Sequence, residues 1–323
     1  MVRWGRSAYP CTQTVNIAGK KRVLAAVPVG GVMVVVKGRL LKVAEIHDEF
    51  WLESRILPHP EEVLRVLEVL RLSPDLFTFA QKLPDVIPRY PYRIEWDNVA
   101  AVPITSYEHW MNNQVAKKTK YSITKAYRKG VVTRVVRFDD ELVDGIYSIY
   151  NELPVRQGKP FWHYGKPKEV VKQDTAAFLE RARFIGAYYG EELVGFTKLV
   201  IDGQVASILH CLSKRKHSDK SPTNALLAKA VEFCEGEGLH YLTYDKYIYG
   251  NKTNSSLTAF KRHNGFIPIN VPRYFVPLSL RGRIALKCNL HLGLSALIPP
   301  SIRARLIALR AWYYRHRTMS SCD

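Results

Sequence analysis

The sequence predicts an α+β protein with a mixed, mainly antiparallel sheet flanked by helices. Two observations carry that expectation. Strand-like runs at 131–138, 184–189, 193–200 and 205–212 are punctuated by Gly130, by Gly190-Glu191-Glu192 and by Asp202-Gly203, and the last two breaks are hairpin signals. Between and after these runs apolar residues recur at helical spacing, as at Leu142, Ile146, Ile149 and Tyr150. Length and composition agree with such a plan. A chain of 323 residues suits two domains or one large one, and a 47% hydrophobic share is ordinary globular composition, which excludes wholesale disorder.

The elements follow in order. Val23 to Val36 reads as two short buried strands joined by a turn at Val29 to Gly31, and it is too short for a membrane span of about 20 residues. Residues 113–129 form a basic helix carrying Val115, Tyr121, Ile123 and Tyr127, with Gly130 at its C-cap. The strand 131–138 runs into Asp139-Asp140, which suits a helix N-terminus. A loop rich in Gly, Pro and aromatics, 156–167, precedes a second helical pattern with Val170, Val171, Ala177 and Phe178. After the three-strand meander, 225–234 is helical, with Leu226, Leu227, Ala230, Val231 and Cys234 along one stripe. Residues 239–245 read as a strand, 255–263 as a helix ending at Asn264-Gly265, and 266–269 and 274–278 as closing strands whose prolines, Pro268, Pro272 and Pro277, suggest edges.

Charge and cysteine usage narrow the partners. With 48 Lys and Arg against 29 Asp and Glu the net charge is +19, which calls for an anion: nucleic acid, a phosphorylated cofactor or lipid headgroups. The five cysteines are scattered and contain no C-x-x-C pair, so neither a disulfide framework nor a zinc site is suggested, and no metal is expected. A reducing, cytoplasmic setting fits them, and the first residues lack the apolar core of a signal peptide.

This succession of elements resembles the GNAT acyltransferase fold over residues 131–278. The likeness is strongest from Asn254 to Phe266 (NSSLTAFKRHNGF), similar in spacing to the GNAT pattern that runs from an Asn through a helix to a Gly-Phe. The basic stretch Lys117 to Val131 resembles the corresponding segment of the FemAB-like branch, whose members carry two GNAT-like halves and transfer acyl or aminoacyl groups to amines, often on cell-envelope precursors. The resemblance implies three regions: 1–112 as a reduced GNAT-like half, 113–278 as the acyltransferase domain, and 279–323 as a basic amphipathic tail. It implies acyl-CoA or aminoacyl-tRNA as donor and an amine of an envelope polysaccharide, such as an exopolysaccharide, or of a peptidoglycan-type precursor as acceptor.

The sharpest binding candidate is the junction 213–224 (SKRKHSDKSPTN). Ser221 suits an N-cap and Pro222 a first helical residue, which would leave the N–H groups of Thr223 and Asn224 at the positive end of the helix. Lys214, Arg215, Lys216 and Lys220 then complete a polyanion site. The resemblance places the pyrophosphate of coenzyme A here, although the Gly-rich turn usual in GNAT proteins is missing, as it commonly is in FemAB-like ones. The same segment also reads as a solvated basic loop before an ordinary helix start.

Acyl transfer to an amine needs a base of suitable pKa and donors aimed at the carbonyl oxygen, with no covalent nucleophile. By the resemblance, the donor's carbonyl lies where 208–212 and 241–245 splay, near His210, Cys211 and Asp245. Asp245 is the candidate base, with a strand-end cap or an ion pair to Lys246 as its alternative role; His210 reads as a satisfied sheet histidine. In the loop 159–166, Trp162, His163 and Tyr164 offer an acceptor wall and a second titratable group, His163, or else anchor the loop to the core. Tyr247 and Tyr249 are further substrate-binding candidates. Lys261 stands where many GNAT enzymes place a general-acid tyrosine.

Residues 281–317 carry eight Arg or Lys and no acid among Ile, Leu, Trp and Tyr. Such a segment either lies on an anionic membrane face or packs on the domain with snorkelling arginines. Two functions remain: an N-acyltransferase, peripheral on the inner face of the membrane if the tail binds it, and a non-catalytic RNA-binding or membrane-surface module on a degenerate acyltransferase scaffold.

Overall fold

The computed structural model describes residues 10–17, 20–49, 59–70, 72–156, 158–249 and 255–292, with Ile302 and Arg305. Asn254, at the head of the 254–266 match, and most of the 281–317 segment lie outside them. The chain divides into two compact units, residues 1–97 with 270–307 and residues 98–269 with 308–323.

The first unit begins with an antiparallel meander of β1 (Cys11–Ile17), β2 (Lys20–Val29), β3 (Val32–Lys37) and β4 (Val43–Ile46). The expected turn after Val29 is present. Gly30 and Gly31 have φ of +56° and +83°, the paired left-handed geometry of a tight hairpin. Helix α1 (Pro60–Val69) starts on a proline, carries Glu61 and Glu62 in its first turn, and buries Val63 and Leu67. It leads to β5 (Leu76–Ala80), which pairs in parallel with β4 and is buried at all five positions, as expected of a strand covered on both faces.

β6 (Arg93–Pro103) carries the chain into the second unit, where α2 (Tyr107–His109) and a π-turn, Trp110–Gln114, precede α3 (Lys117–Arg128). The single helix expected over 113–129 is therefore broken. Val115 is extended, which buries it beside Trp110, and the Ala116 N–H donates to the His263 carbonyl at 3.0 Å instead of continuing a helix. β7 (Val131–Val136) then runs into α4 (Asp140–Tyr150), capped as expected by the Asp139 carboxylate, which accepts the Leu142 N–H at 2.9 Å. The minimal strands β8 (Val155–Arg156) and β9 (Lys159–Pro160) pair with each other before α5 (Lys168–Thr175).

The meander β10 (Ala182–Tyr189), β11 (Glu192–Asp202), β12 (Val205–Ser213) follows the hairpin signals. Helix α6 (Pro222–Gly236) buries Ala225, Leu226, Leu227, Ala230, Val231 and Cys234, the stripe read from the sequence, against β10 to β12. β13 (Tyr241–Lys246) pairs in parallel with β12 and antiparallel with residues 99–103 of β6, so the strand order in this unit is β6-β13-β12-β11-β10-β7. α7 (Ser256–His263) precedes β14 (Ile267–Pro277), a single strand rather than the two expected. Its prolines do not prevent pairing, because a proline still offers its carbonyl: that of Pro272 accepts the Gln81 N–H at 2.7 Å, and residues 273–277 pair with β5.

α8 (Leu280–Lys287) begins the basic segment expected either to lie on a membrane face or to pack on the domain. One face of its described start packs within the first unit, Ala285 and Leu286 against Leu76 and Phe275.

Candidate active site

The parallel ladder between β12 and β13 is only three residues long, Val205–Ser207 against Tyr241–Thr243. Past it β12 stays hydrogen-bonded to β11, while the register of β13 against β6 shifts between Thr243 and Lys246. The shift coincides with Asp245 at φ +50°, a left-handed conformation that a short polar side chain tolerates. This is the splay the resemblance places at the donor's carbonyl.

Three side chains meet beside it. Asp245 accepts the Lys246 N–H at 2.7 Å through Oδ1 and the Tyr249 hydroxyl at 2.9 Å through Oδ2. Lys261, fully buried on α7, donates from Nζ to the Lys246 carbonyl at 2.6 Å and lies 3.4 Å from the Tyr249 oxygen. Its ammonium also sits 4.7 Å from the Tyr244 ring centroid and 4.8 Å from that of Tyr249. Burial pushes the Lys261 pKa down to about 8, with the Asp245 carboxylate opposing it. Burial, reinforced by Asp245, pushes the Tyr249 hydroxyl above its ordinary value.

The local sequence fixes α7 at both ends. Ser255 accepts the Thr258 N–H at 3.0 Å, and Gly265, at φ +81°, lies so close to Trp110 that a Cβ there would come within 2.8 Å of Nε1. Lys261 entered the sequence reading only as a departure from a tyrosine. The signal that could have found it is periodic: it lies three residues after Thr258, the other buried position of α7.

The other candidates divide. Tyr249 joins Asp245, whereas Tyr247 lines a separate cleft of about 400 Å³ with Gln114, Arg262 and Phe266. His163 is not an exposed loop group. Its ring lies 3.9 Å from Trp162, 4.1 Å from Tyr150 and 5.7 Å from His210 between centroids, and burial pushes its pKa down to about 3, so it stands neutral. Its Nδ1 is buried without a hydrogen-bond partner. Burial likewise lowers His210, to about 4. Trp162 and Tyr164 are 53% and 45% exposed, and Lys166 sits over the Trp162 ring at 3.8 Å, so the aromatic wall does face solvent.

The basic junction is largely neutralised by the chain's own acids. Lys214 is buried and donates to Glu192 at 2.6 Å and Ser148 at 2.7 Å; Lys216 and His217 reach the same carboxylate at 2.6 and 3.0 Å. Burial alone would raise Glu192, yet these three partners hold it at about 2. The successive N–H groups of Arg215 and Lys216, an arrangement suited to an anion, both donate to Glu152, at 2.7 and 2.9 Å. Ser221 sits at the N-cap position but at φ +54°, and its hydroxyl caps nothing. The Asn224 N–H, expected to face outward, donates to the Ser221 carbonyl at 3.1 Å, and the Thr223 hydroxyl pairs with Ser213 at 2.7 Å. As folded, these residues do not form a cradle for a pyrophosphate, although the Arg215 side chain is exposed.

Among the described residues no group of His, Cys, Asp and Glu is placed to hold a metal, and no helix is long and apolar enough to cross a membrane.

Residues 113–252 match the model of the GNAT acetyltransferase domain. No curated protein matches the chain. Among solved structures, FemX aligns over 82% of this chain and 88% of its own, with a TM-score of 0.54 at 9% identity. The C-terminal domain of a protein from Agrobacterium fabrum assigned as a lysylphosphatidylglycerol synthetase aligns over 80% of this chain and 85% of its own, with a TM-score of 0.52 at 14% identity. At these identities the likeness is one of fold, the α+β plan with a mixed, mainly antiparallel sheet.

Proposed function

We infer that this chain, whose residues 113–252 match the GNAT acetyltransferase domain model, is an N-acyltransferase working at the splay of β12 and β13. The observation that carries the reading is the hydrogen-bonded series Lys261, Tyr249, Asp245 at that splay. A new C–N bond forms as the acceptor amine adds to the donor's carbonyl carbon. The carbonyl oxygen takes up negative charge, and the bond from that carbon to the donor's leaving atom then breaks.

Lys261 has three Nζ protons. The Lys246 carbonyl takes one, Tyr249 lies along a second, and the third serves the developing oxyanion in a site where water does not compete. Asp245 accepts the proton released by the amine. Lys261 gives one of its protons to the leaving group and, once neutral, regains one from Tyr249, which is replenished by the proton on Asp245, so none is lost overall.

Two surfaces support a choice of partners. With the 214–220 loop compensated by Glu152, Glu192 and Asp219, α3 is the basic surface that suits a polyanionic donor: Lys117, Lys118 and Arg128 are exposed beside Tyr121 and Tyr127, and the helix contains no acid. Its start is tied to the end of α7 through Ala116 and His263. Cations interleaved with exposed aromatics favour an acyl ester carried by RNA, an aminoacyl-tRNA, over acyl-coenzyme A. On the acceptor side, Trp162 and Tyr164 provide stacking faces for a sugar, which fits an amine on an envelope polysaccharide or peptidoglycan-type precursor. The name of the Agrobacterium fabrum protein refers to an aminoacylated envelope lipid, a related class of product.

The test is to incubate the full chain with labelled aminoacyl-tRNA or labelled acetyl-coenzyme A and a panel of amino sugars. Transfer from the RNA ester is expected, with Lys261→Met lowering kcat by about 10² to 10³. Transfer from the thioester alone would reassign the donor. Transfer from neither would end the acyltransferase reading for this splay.

A further inference from the structure

A cavity of about 880 Å³ in the first unit opens between the 39–42 turn and residues 277–281, with Leu64 and Leu67 of α1 in its wall. The surface around its mouth is unusual in having apolar groups pushed into solvent. Leu40 is 92% exposed, Leu280 69% and Ile284 50%, and Leu278, Leu290 and Leu292 are each more than a third exposed. Leu280 and Ile284 are four residues apart on α8 and so form one ridge.

The ridge is held outward. Ser279 accepts the Gly282 N–H at 3.1 Å and donates to Asp75 at 2.6 Å, while Ala285 and Leu286 fill the opposite face of α8 against Leu76 and Phe275. Gly282 packs on the Asp75 carbonyl so closely that a Cβ would lie 1.9 Å from its oxygen, so α8 cannot roll to bury its leucine without losing this contact.

Exposed cations flank the ridge: Arg39 and Lys42 on the turn, Arg281, Arg283 and Lys287 on the helix. Residues 278–292 contain no acid. Of the two acids lining the cavity, Asp75 is buried and already accepts the Ser279 hydroxyl and the Lys42 N–H, which leaves Glu68 on the rim.

We propose that this face, Leu40 with the Leu280–Ile284 ridge and its five flanking cations, docks the protein on an anionic phospholipid bilayer. The chemistry selects that partner. A bilayer offers hydrocarbon to the ridge and phosphate to the cations at the same depth, the pattern of an interfacial amphipathic helix. A second copy of the same face would set five cations against five. Nucleic acid would use the cations but leave the aliphatic ridge in water, because bases stack on aromatic groups and those exposed here are Leu and Ile. The proposal goes beyond the acyl-transfer reading and does not depend on it.

Its test therefore measures no transfer. The full chain is floated with vesicles of phosphatidylcholine alone and with about 30% phosphatidylglycerol, and hydrogen exchange is followed on the unmodified protein. Binding to the anionic vesicles alone is expected, with protection gained at 278–292. A Leu280→Asp, Ile284→Asp pair should lower partition at least about tenfold, and Arg281→Glu, Arg283→Glu, Lys287→Glu together by about 100-fold or more. Lys117→Glu, Lys118→Glu on α3 should leave it unchanged. Failure to bind, equal binding to both vesicles, or protection at 117–128 in place of 278–292 would each overturn the proposal. So would displacement from vesicles by an RNA oligomer that itself protects 278–292. Because the exchange arm uses the unmodified chain, misfolding of a variant cannot mask the answer.

Discussion

The two units repeat one plan and differ in what they do with its polar centre. In each, the last strand of an antiparallel meander is followed by a helix and then by a strand parallel to it: β4, α1, β5 in the first unit and β12, α6, β13 in the second. In each, the strand after the helix also pairs antiparallel with a strand that follows the other unit's helix and parallel strand in sequence, β14 on β5 and β6 on β13.

Past the parallel ladder of the first unit, Arg273 lies between two carboxylates, Glu49 at 2.9 Å and Asp97, and Glu49 also accepts the Ala80 N–H. Burial disfavours the guanidinium, but the two carboxylates outweigh it and raise its pKa. In the second unit the buried cation beside the splay is Lys261, its direct partners are a carbonyl and a phenol, and its pKa falls. A matched charge is a closed structural element. An unmatched one is held near neutrality at a cost in stability, which is how a proton-transfer group is prepared.

The largest effect should separate the two cations by stability. Arg273→Met removes the cation that buried Glu49 and partly buried Asp97 share and should cost about 3 to 5 kcal/mol in urea unfolding. Lys261→Met removes a desolvated charge and places an apolar group of similar length where the ammonium lies over two aromatic rings, and should change stability by less than about 1 kcal/mol. Equal losses at both positions would dissolve the distinction.

Much of the second unit's plan is legible in the sequence, because glycine-marked hairpins and helical stripes are local signals, whereas in the first unit only the β2–β3 hairpin is. Gly190, Asp202-Gly203 and the stripe on α6 each specify an element without reference to anything distant. The exchange of β6 and β14 was not legible, since the pairing of Phe275 with Thr78 spans most of the chain. The site was read in part for the same reason. Asp245 and Tyr249, separate candidates four residues apart, are hydrogen-bonded to each other, whereas Lys214, a phosphate candidate from its loop, pairs with Glu192 on another strand. His163 was given a titrating role that burial against Tyr150 and Trp162 removes.

A smaller effect sharpens the comparison through pH. Lys261 has a folded pKa of about 8 against an ordinary value of 10.5. Between these values the unfolded chain binds more protons, so the penalty is fully present below about pH 8 and is relieved as pH rises toward 10.5. Unfolding free energy should therefore gain an upward component between pH 8 and 10, and Lys261→Met should remove part of it. Lys198, which burial also lowers to about 8 while it donates to the Thr175 carbonyl at 2.7 Å, supplies the remainder. Arg273→Met should leave the slope untouched, since a guanidinium does not titrate in that window. Identical slopes in wild type and Lys261→Met would return Lys261 to an ordinary pKa.

The smallest expected effect concerns the turn where the second unit lacks a glycine. The first repeat turns its hairpin on Gly30 and Gly31, both at positive φ, whereas the entry to α6 uses Ser221 at φ +54° with no compensating side-chain cap. A serine held in the left-handed region costs about 1 kcal/mol relative to glycine, offset in part by glycine's greater freedom in the unfolded chain. Ser221→Gly should accordingly raise stability by about 0.5 kcal/mol, read as a shift in urea midpoint without a change in slope. The same variant should not create binding of inorganic pyrophosphate, because what fills the neighbouring N–H groups is Glu152, not the serine side chain. Glu152→Gln weakens that internal anion, and pyrophosphate binding that appears in Glu152→Gln and not in Ser221→Gly would identify the carboxylate, rather than the missing glycine, as what closes the junction.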